Sequence, residues 1–242
     1  MSTVSHELRT PMSNLKMAIF LLQKTPLRKQ QQRYLQILQD ECEREIALIN
    51  NLLDLQRLEF GQTPLYIESL SLVNWLPDLL RGFRPRLQER QLHLEIVIPA
   101  DLANLTTDPQ LLERILAELI NNACKYTPTG GDLIIAVQQH SLLMSSPPLT
   151  PITQPIENPI PVLITQFKVS NTGSSIPSSE LERIFEKFYR IPRQDPWAQA
   201  GTGLGLALVR QLVQRLGGHI NVTSDEYLTT FQVQVPHLEI RL

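Results

Sequence analysis

The 242-residue sequence predicts an α+β chain in which an antiparallel helical hairpin precedes an α/β layer. Two observations carry that class. Apolar residues recur at helical spacing through roughly the first sixty positions. At Phe60–Pro64 (FGQTP) the texture changes, and short β-branched runs begin to alternate with helical ones. The break divides the chain into residues 1–62 and 63–242. A formal net charge of −2 leaves no basic footprint, so nucleic acid is not an expected partner. No apolar run approaches a membrane span and no signal peptide leads the chain, so no direct membrane contact and a cytoplasmic location are expected. Cys42 and Cys124 lack metal-ligand spacing and read as reduced core thiols.

Taken in order, Val4, Leu8, Met12, Leu15, Ile19 and Leu22 mark a first amphipathic helix that stops at Thr25-Pro26. Leu35, Leu38, Cys42, Ile46, Ile49, Leu53 and Leu58 mark a second, longer one. The short connection makes the two antiparallel neighbours, and two helices cannot cover both apolar stripes, so a homodimer closing a four-helix bundle is expected. Then come a strand at LYIESLSL, a helix from about Leu72 to Arg90, a strand at LHLEIVIP and a helix from about Pro109 to Lys125. DLIIAVQ and VLITQFKV are the two central strands, and a helix at about Leu204–Leu216 precedes HINVTS and TTFQVQV. The sheet is expected to be mixed or antiparallel with helices on one side. Residues 141–161, crowded with prolines, read as an overlong surface hairpin loop.

Four segments of the second half carry candidate chemistry. In ERILAELINNACKYTP, Glu118, Asn122 and Lys125 project from one helix face while Leu116, Leu119, Ile120 and Ala123 pack inward. A carboxylate and an amide beside an ammonium suit Mg²⁺ on a polyphosphate, because Mg²⁺ takes few protein ligands and completes its shell with phosphate and water; a solvated helix face is the plainer alternative. In VSNTGSSIP, Asn171 and Gly173 end a strand, which is either a simple turn or the polar rim of a pocket. In RIFEKFYRIPRQDPW, Ile184, Phe185 and Phe188 anchor a poorly packed segment on which Arg190 and Arg193 can reach a phosphate. In GTGLGLALV, Gly201, Gly203 and Gly205 open an apolar helix and let backbone approach a phosphate chain at its N-terminus. The spacing is not that of a dinucleotide-binding βαβ unit.

In order and spacing these segments resemble the N, G1, F and G2 boxes of the two-component sensor histidine kinases, and SHELRTP near the N-terminus resembles their phosphoacceptor H box. The resemblance spans nearly the whole chain apart from the proline-rich insertion. It implies a dimeric four-helix bundle followed by an α/β sandwich of the histidine kinase/gyrase type, with ATP and Mg²⁺ as cofactors. It also implies His6 as the phosphorylated nucleophile, Glu7 as the carboxylate that orients the ring and accepts its proton, and Thr10 as the position that places a water for dephosphorylating a response regulator. By the same resemblance Asn122 is the magnesium ligand, and Lys125 and Tyr126 are the phosphate-contacting and adenine-flanking pair. Arg190 meets the γ-phosphate, and Gly201, Thr202, Gly203, Leu204 and Gly205 form the phosphate-binding loop. The partner implied is the receiver domain of a response regulator. Because the H box lies almost at Met1, the chain is expected to be a piece of a longer protein whose upstream part could be membrane-anchored.

Two positions depart from the pattern. Glu118 stands where the family has Asn, as in gyrase-like relatives where a glutamate activates water, so Glu118 is either a metal-shell residue or a hydrolytic base. Asn171 stands where the family has the Asp that accepts from the adenine amino group. The swap exchanges a charge-assisted bond for a neutral one, a loss on the order of 1 kcal/mol. Ser175 replaces a glycine, at a cost if a positive φ is required there. An ATP-dependent histidine kinase core is therefore expected; the alternatives are a pseudokinase or phosphatase-only scaffold with impaired ATP binding and, more weakly, a free-standing ATPase.

Overall fold

The computed structural model describes residues 15–24, 28–59, 64–144, 160–173, 175–192 and 202–238. Residues 15–24 are helical (α1), and α2 runs over Arg28–Glu59, 32 residues or about nine turns. The second half of α2 is apolar on two opposite sides. Leu48, Asn51 and Leu55 are buried at 3%, 5% and 1% exposure, whereas Ile46, Ile49 and Leu53 remain 59%, 48% and 44% exposed. Leu48 and Leu55 belong to the same core as the sheet that follows. Cys42, expected in a core, is exposed; by helical periodicity it falls on the side of Ile46 and Ile49. Cys124 is buried.

β1 (Glu68–Leu70), α3 (Leu72–Arg81), α4 (Arg84–Glu89), β2 (His93–Val97), β3 (Leu105–Thr107) and α5 (Pro109–Tyr126) come next. β4 (Asp132–Met144) and β5 (Ile160–Thr172) lead through two 3₁₀ turns, Ser178–Glu180 and Arg183–Phe185, to α6 (Gly205–Arg215), β6 (His219–Ser224) and β7 (Leu228–Pro236). Five strands form a mixed sheet in the order β2-β4-β5-β7-β6, with β2 parallel to β4 and the other pairs antiparallel. The alternate positions Leu133, Ile135, Phe167, Val169, Val233 and Val235 are at most 1% exposed. They join Leu112, Ile115, Leu116 and Leu119 of α5 and Leu208, Val209 and Val213 of α6 in one core, so helices cover a single face of the sheet, as expected.

Three expectations need correction. The helix expected over Leu72–Arg90 is two helices, because Pro85 near the start of α4 has no N–H to give the preceding turn. LYIESLSL yields only the three residues of β1, which pair with the unforeseen β3 in a separate two-stranded sheet. The proline-rich stretch is not all loop. Ser141–Met144 pair with Ile160–Leu163, and Pro161 is tolerated because β7 pairs with β5 only from Ile164 onward, leaving β5 an edge there. Residues 145–159 lie outside the described residues. Among the described residues, no helix is long and apolar enough to cross a membrane.

Asp108 ties the front of this layer together. Its Oδ1 caps α5 by accepting from Gln110 N (3.1 Å) and Leu111 N (3.2 Å), and its Oδ2 accepts from Tyr66 N at 2.9 Å. Asp108→Ala removes the cap and a loop anchor together and is expected to cost about 2 kcal/mol. Asp108→Asn, which keeps an acceptor for the cap, is expected to cost less; urea denaturation followed by circular dichroism measures both.

Candidate nucleotide site

α5 reaches the site with its inward face fully occupied. Leu116, Leu119 and Ile120 are at 0% exposure and Ala123 at 3%, so Glu118, Asn122, Lys125 and Tyr126 share the partly exposed remainder. Glu118 is held tightly: burial pushes its carboxyl up from the usual carboxylate range, while Arg114, with Nη2 at 3.4 Å from Oε1, pulls it back. The other oxygen, Oε2, borders the first residue of α6, where a Cβ on Gly205 would stand only 2.7 Å away. α5 and α6 therefore meet at a carboxylate and a glycine. The Lys125 ammonium sits 4.9 Å from the centre of the Tyr126 ring.

The start of α6 suits an anion. Its N-cap, Leu204, is fully buried and supplies no side-chain hydrogen bond, and Gly205 is the first helical residue. Thr202 Oγ1 accepts from Leu204 N at 3.3 Å and shapes the approach. Gly203 has φ +69°, and a Cβ there would lie 2.7 Å from the carbonyl carbon of Phe188. Phe188 N donates to Gly203 O at 2.9 Å, and Phe188 itself takes φ +63°, a rare conformation for a bulky residue and one that concentrates at functional sites. The segment before it is anchored as the sequence suggests. Ile184 is buried, and Phe185 stacks edge-on against Phe231 at 6.4 Å. Tyr189 donates to Glu180, and Arg183 covers the Tyr189 ring at 4.2 Å; the hydrogen bond to Glu180 pushes the phenol pKa up. Arg190 follows, exposed.

Asn171 closes the other end. It is 4% exposed, paired across the sheet with Leu133 and Thr229, and its Nδ2 makes a long 3.5 Å contact with Thr172 O. Gly173 takes φ +80°, and a Cβ there would meet Pro128 Cγ at 2.6 Å, so the end of β5 and the end of α5 touch. Thr229, buried at 3%, was not singled out from the sequence, because a threonine in TTFQVQV reads simply as a strand residue. Its hydroxyl pairs with Ser224 Oγ at 2.7 Å, which accepts from Ile176 N at 2.8 Å and fastens the turn after Asn171 to the sheet. Arg114 was also missed, although its i,i+4 spacing to Glu118 is legible.

The structure thus brings Glu118 to Gly205, Gly173 to the end of α5, and Gly203 to the Phe188 turn. His6, Glu7, Thr10, Gly201 and Arg193 lie outside the described residues. Among the described residues no cluster of three or more His, Cys, Asp or Glu forms a metal cage. One carboxylate and one amide on successive turns of α5 fit Mg²⁺ only where phosphate and water complete the shell.

The sheet is thus covered on one face by helices, two of which meet at Glu118 and Gly205, and it is preceded by a long helical segment. Residues 107–239 match the family model of the histidine kinase-, DNA gyrase B- and HSP90-like ATPases, and residues 1–61 match that of the His Kinase A (phospho-acceptor) domain. The chain belongs to this ATPase family, in the arrangement of a two-component sensor histidine kinase catalytic core. It is similar to the circadian input-output histidine kinase CikA of Synechococcus elongatus, 33% identical over 98% of this chain and 29% of that protein. The chain therefore spans under a third of that relative's length. Its fold is similar to histidine kinase ThkA in complex with response regulator protein TrrA (TM-score 0.72, 19% identity, 98% of this chain and 60% of that one). It is also similar to full-length ShkA in complex with AMPPNP (TM-score 0.67, 23% identity, 100% and 46%).

The two glycines of the α6 entry are expected to behave differently. Gly203→Ala forces a Cβ into Phe188 backbone at positive φ and should cost about 1–2 kcal/mol or more. Gly205→Ala meets only the end of a glutamate side chain and should cost well under half of that; denaturant titration of the two variants decides it.

Proposed function

We propose that the chain is an ATP-dependent protein histidine kinase core that phosphorylates His6 within a homodimer and passes the phosphoryl group to an aspartate of a response regulator. The observation that carries this reading is the meeting of Glu118 with the glycine entry of α6, downstream of a phosphoacceptor-type segment. In this reading residues 1–62 dimerise and carry His6, and residues 63–242 bind ATP. The uncovered stripe of Ile46, Ile49 and Leu53 on α2 supports the dimer, since an apolar face of that kind calls for a partner helix.

One ring nitrogen of neutral His6 attacks the γ-phosphorus; an N–P bond forms as the bond to the bridging oxygen breaks and ADP leaves. Glu7 takes the proton from the other nitrogen. Asn122 and Glu118 would hold Mg²⁺, which when bound would supply neutralisation of phosphate charge. Lys125 and Arg190 add positive charge to the phosphates, Tyr126 flanks the base, and Gly201, Thr202, Gly203, Leu204 and Gly205 supply backbone N–H groups. Asn171 reads adenine with its amide, and Gly173 lets the turn beside it close. Thr10 with Glu7 supports a regulator phosphatase activity as well. The compartment in this reading is the cytoplasm, where ATP and the regulator meet. No observation favours an impaired scaffold.

With γ-labelled ATP and Mg²⁺, acid-labile label is expected on the chain and none on His6→Gln. Absence of label at every ATP concentration would remove the kinase reading. Asn171→Asp is expected to tighten ATP binding by less than about tenfold, the size of a neutral hydrogen bond becoming charge-assisted; a titration with a fluorescent ATP analogue measures it.

A further inference from the structure

The α5–α6 junction is tied to α2 through Asn51 and Arg114, two residues to which the proposed phosphoryl transfer assigns no role. Asn51, on the buried face of α2, accepts through Oδ1 a short hydrogen bond from Arg114 Nη2. The same nitrogen lies 3.4 Å from Glu118 Oε1, and Glu118 Oε2 borders Gly205 at the start of α6. Charge-assisted N–H···O bonds close to about 2.7–2.9 Å, so of the two N–H groups on Nη2 the one toward Asn51 is fully engaged, while at 3.4 Å Glu118 receives a longer and weaker pairing. Arg114 Nε, also buried, has no hydrogen-bond partner. A guanidinium pairing side-on with a carboxylate engages two nitrogens at once, and Nε is the donor that such a pairing with Glu118 would add.

We propose that Arg114 is a positioning residue shared between two alternatives, Asn51 while the ATP-binding domain rests on α2 and Glu118 once it leaves, so that docking on α2 and binding of Mg²⁺-nucleotide oppose each other. This rests on the reading of Glu118 and Asn122 as the metal-facing pair. Released from Asn51, the guanidinium can pair side-on with Glu118, orienting one carboxylate oxygen and leaving the other for the cation, as partners behind a metal ligand do. Linkage makes the effect reciprocal: whatever factor docking removes from nucleotide affinity, nucleotide removes from docking.

The test uses the whole 242-residue chain, a fluorescent ATP analogue and Mg²⁺. Asn51→Ala, which removes the competing acceptor, is expected to tighten binding on the order of fivefold. Asn51→Asp, which holds the guanidinium harder, is expected to weaken it. In an Arg114→Ala background both changes should fall silent. Saturating analogue should also raise amide exchange in α2 around Asn51 in the unmodified chain and not in Arg114→Ala. A merely structural Asn51 would move affinity the same way with both substitutions, or move it equally without Arg114; either result overturns the coupling while leaving the nucleotide site standing. Failure of the unmodified chain to bind the analogue would overturn both.

Discussion

The burial of α5 against the sheet is the constraint on which the rest of the arrangement depends. Leu112, Ile115, Leu116, Leu119, Ile120 and Ala123 fall within an arc of about 140° of that helix, at no more than 3% exposure. A helix so committed cannot rotate, and a residue three or four positions from another on its outward side has no freedom to be elsewhere. Glu118, Asn122 and Lys125 are thus aligned by apolar packing. Moving any of them would require rotating α5 out of the core, at a cost of several buried leucines, each worth about 1.5–3 kcal/mol. The same packing sets how close α6 comes, and it brings Gly205 beside the Glu118 carboxylate.

This explains which parts were legible in the sequence. The arc of α5, the strands HINVTS and TTFQVQV and the glycine-opened α6 each carry their own periodicity or turn chemistry, so local pattern suffices. What depended on distant partners was not legible. β3 is three residues long and exists through its pairing with β1; β4 and β5 extend into the proline-rich stretch because each offers the other a ladder, and because Pro161 falls beyond the reach of β7. Thr229 matters through its position opposite Asn171, and Asn51 through a contact 63 residues away in sequence. The glycine requirement at Gly203 follows from the positive φ there and from Phe188 backbone, neither of which composition reveals.

Asn171 illustrates how a departure from a motif is absorbed. An ionised carboxylate buried at a strand end must be compensated or it raises the cost of folding. An amide in the same place carries no charge to desolvate, and the row Leu133, Asn171, Thr229 and Ser224 across the sheet is neutral throughout. The exchange therefore removes a burden from the unliganded fold while, in the proposed reading, weakening one ligand hydrogen bond. The two effects act on different states, so the fold gives no reason for the site to close around a missing charge.

A similar argument applies to the contact between α2 and the sheet domain. α2 presents one apolar side to that domain, through Leu48 and Leu55, and leaves another, with Ile46, Ile49 and Leu53, uncovered. An interface of leucines alone would be hard to open, and the proposed phosphoryl transfer to His6 requires relative movement. Placing Asn51 and Arg114 at this seam lowers the net gain from docking, because the desolvated guanidinium is only partly repaid, as its unpartnered Nε records. Interfaces between domains that must move are expected to be of this mixed kind, with polar groups that water or another protein group can satisfy once the surfaces part. Glu118 is one turn away and is the group best placed to take over the guanidinium, so in the proposed coupling the seam opens at its lowest cost when that carboxylate is ready to receive it.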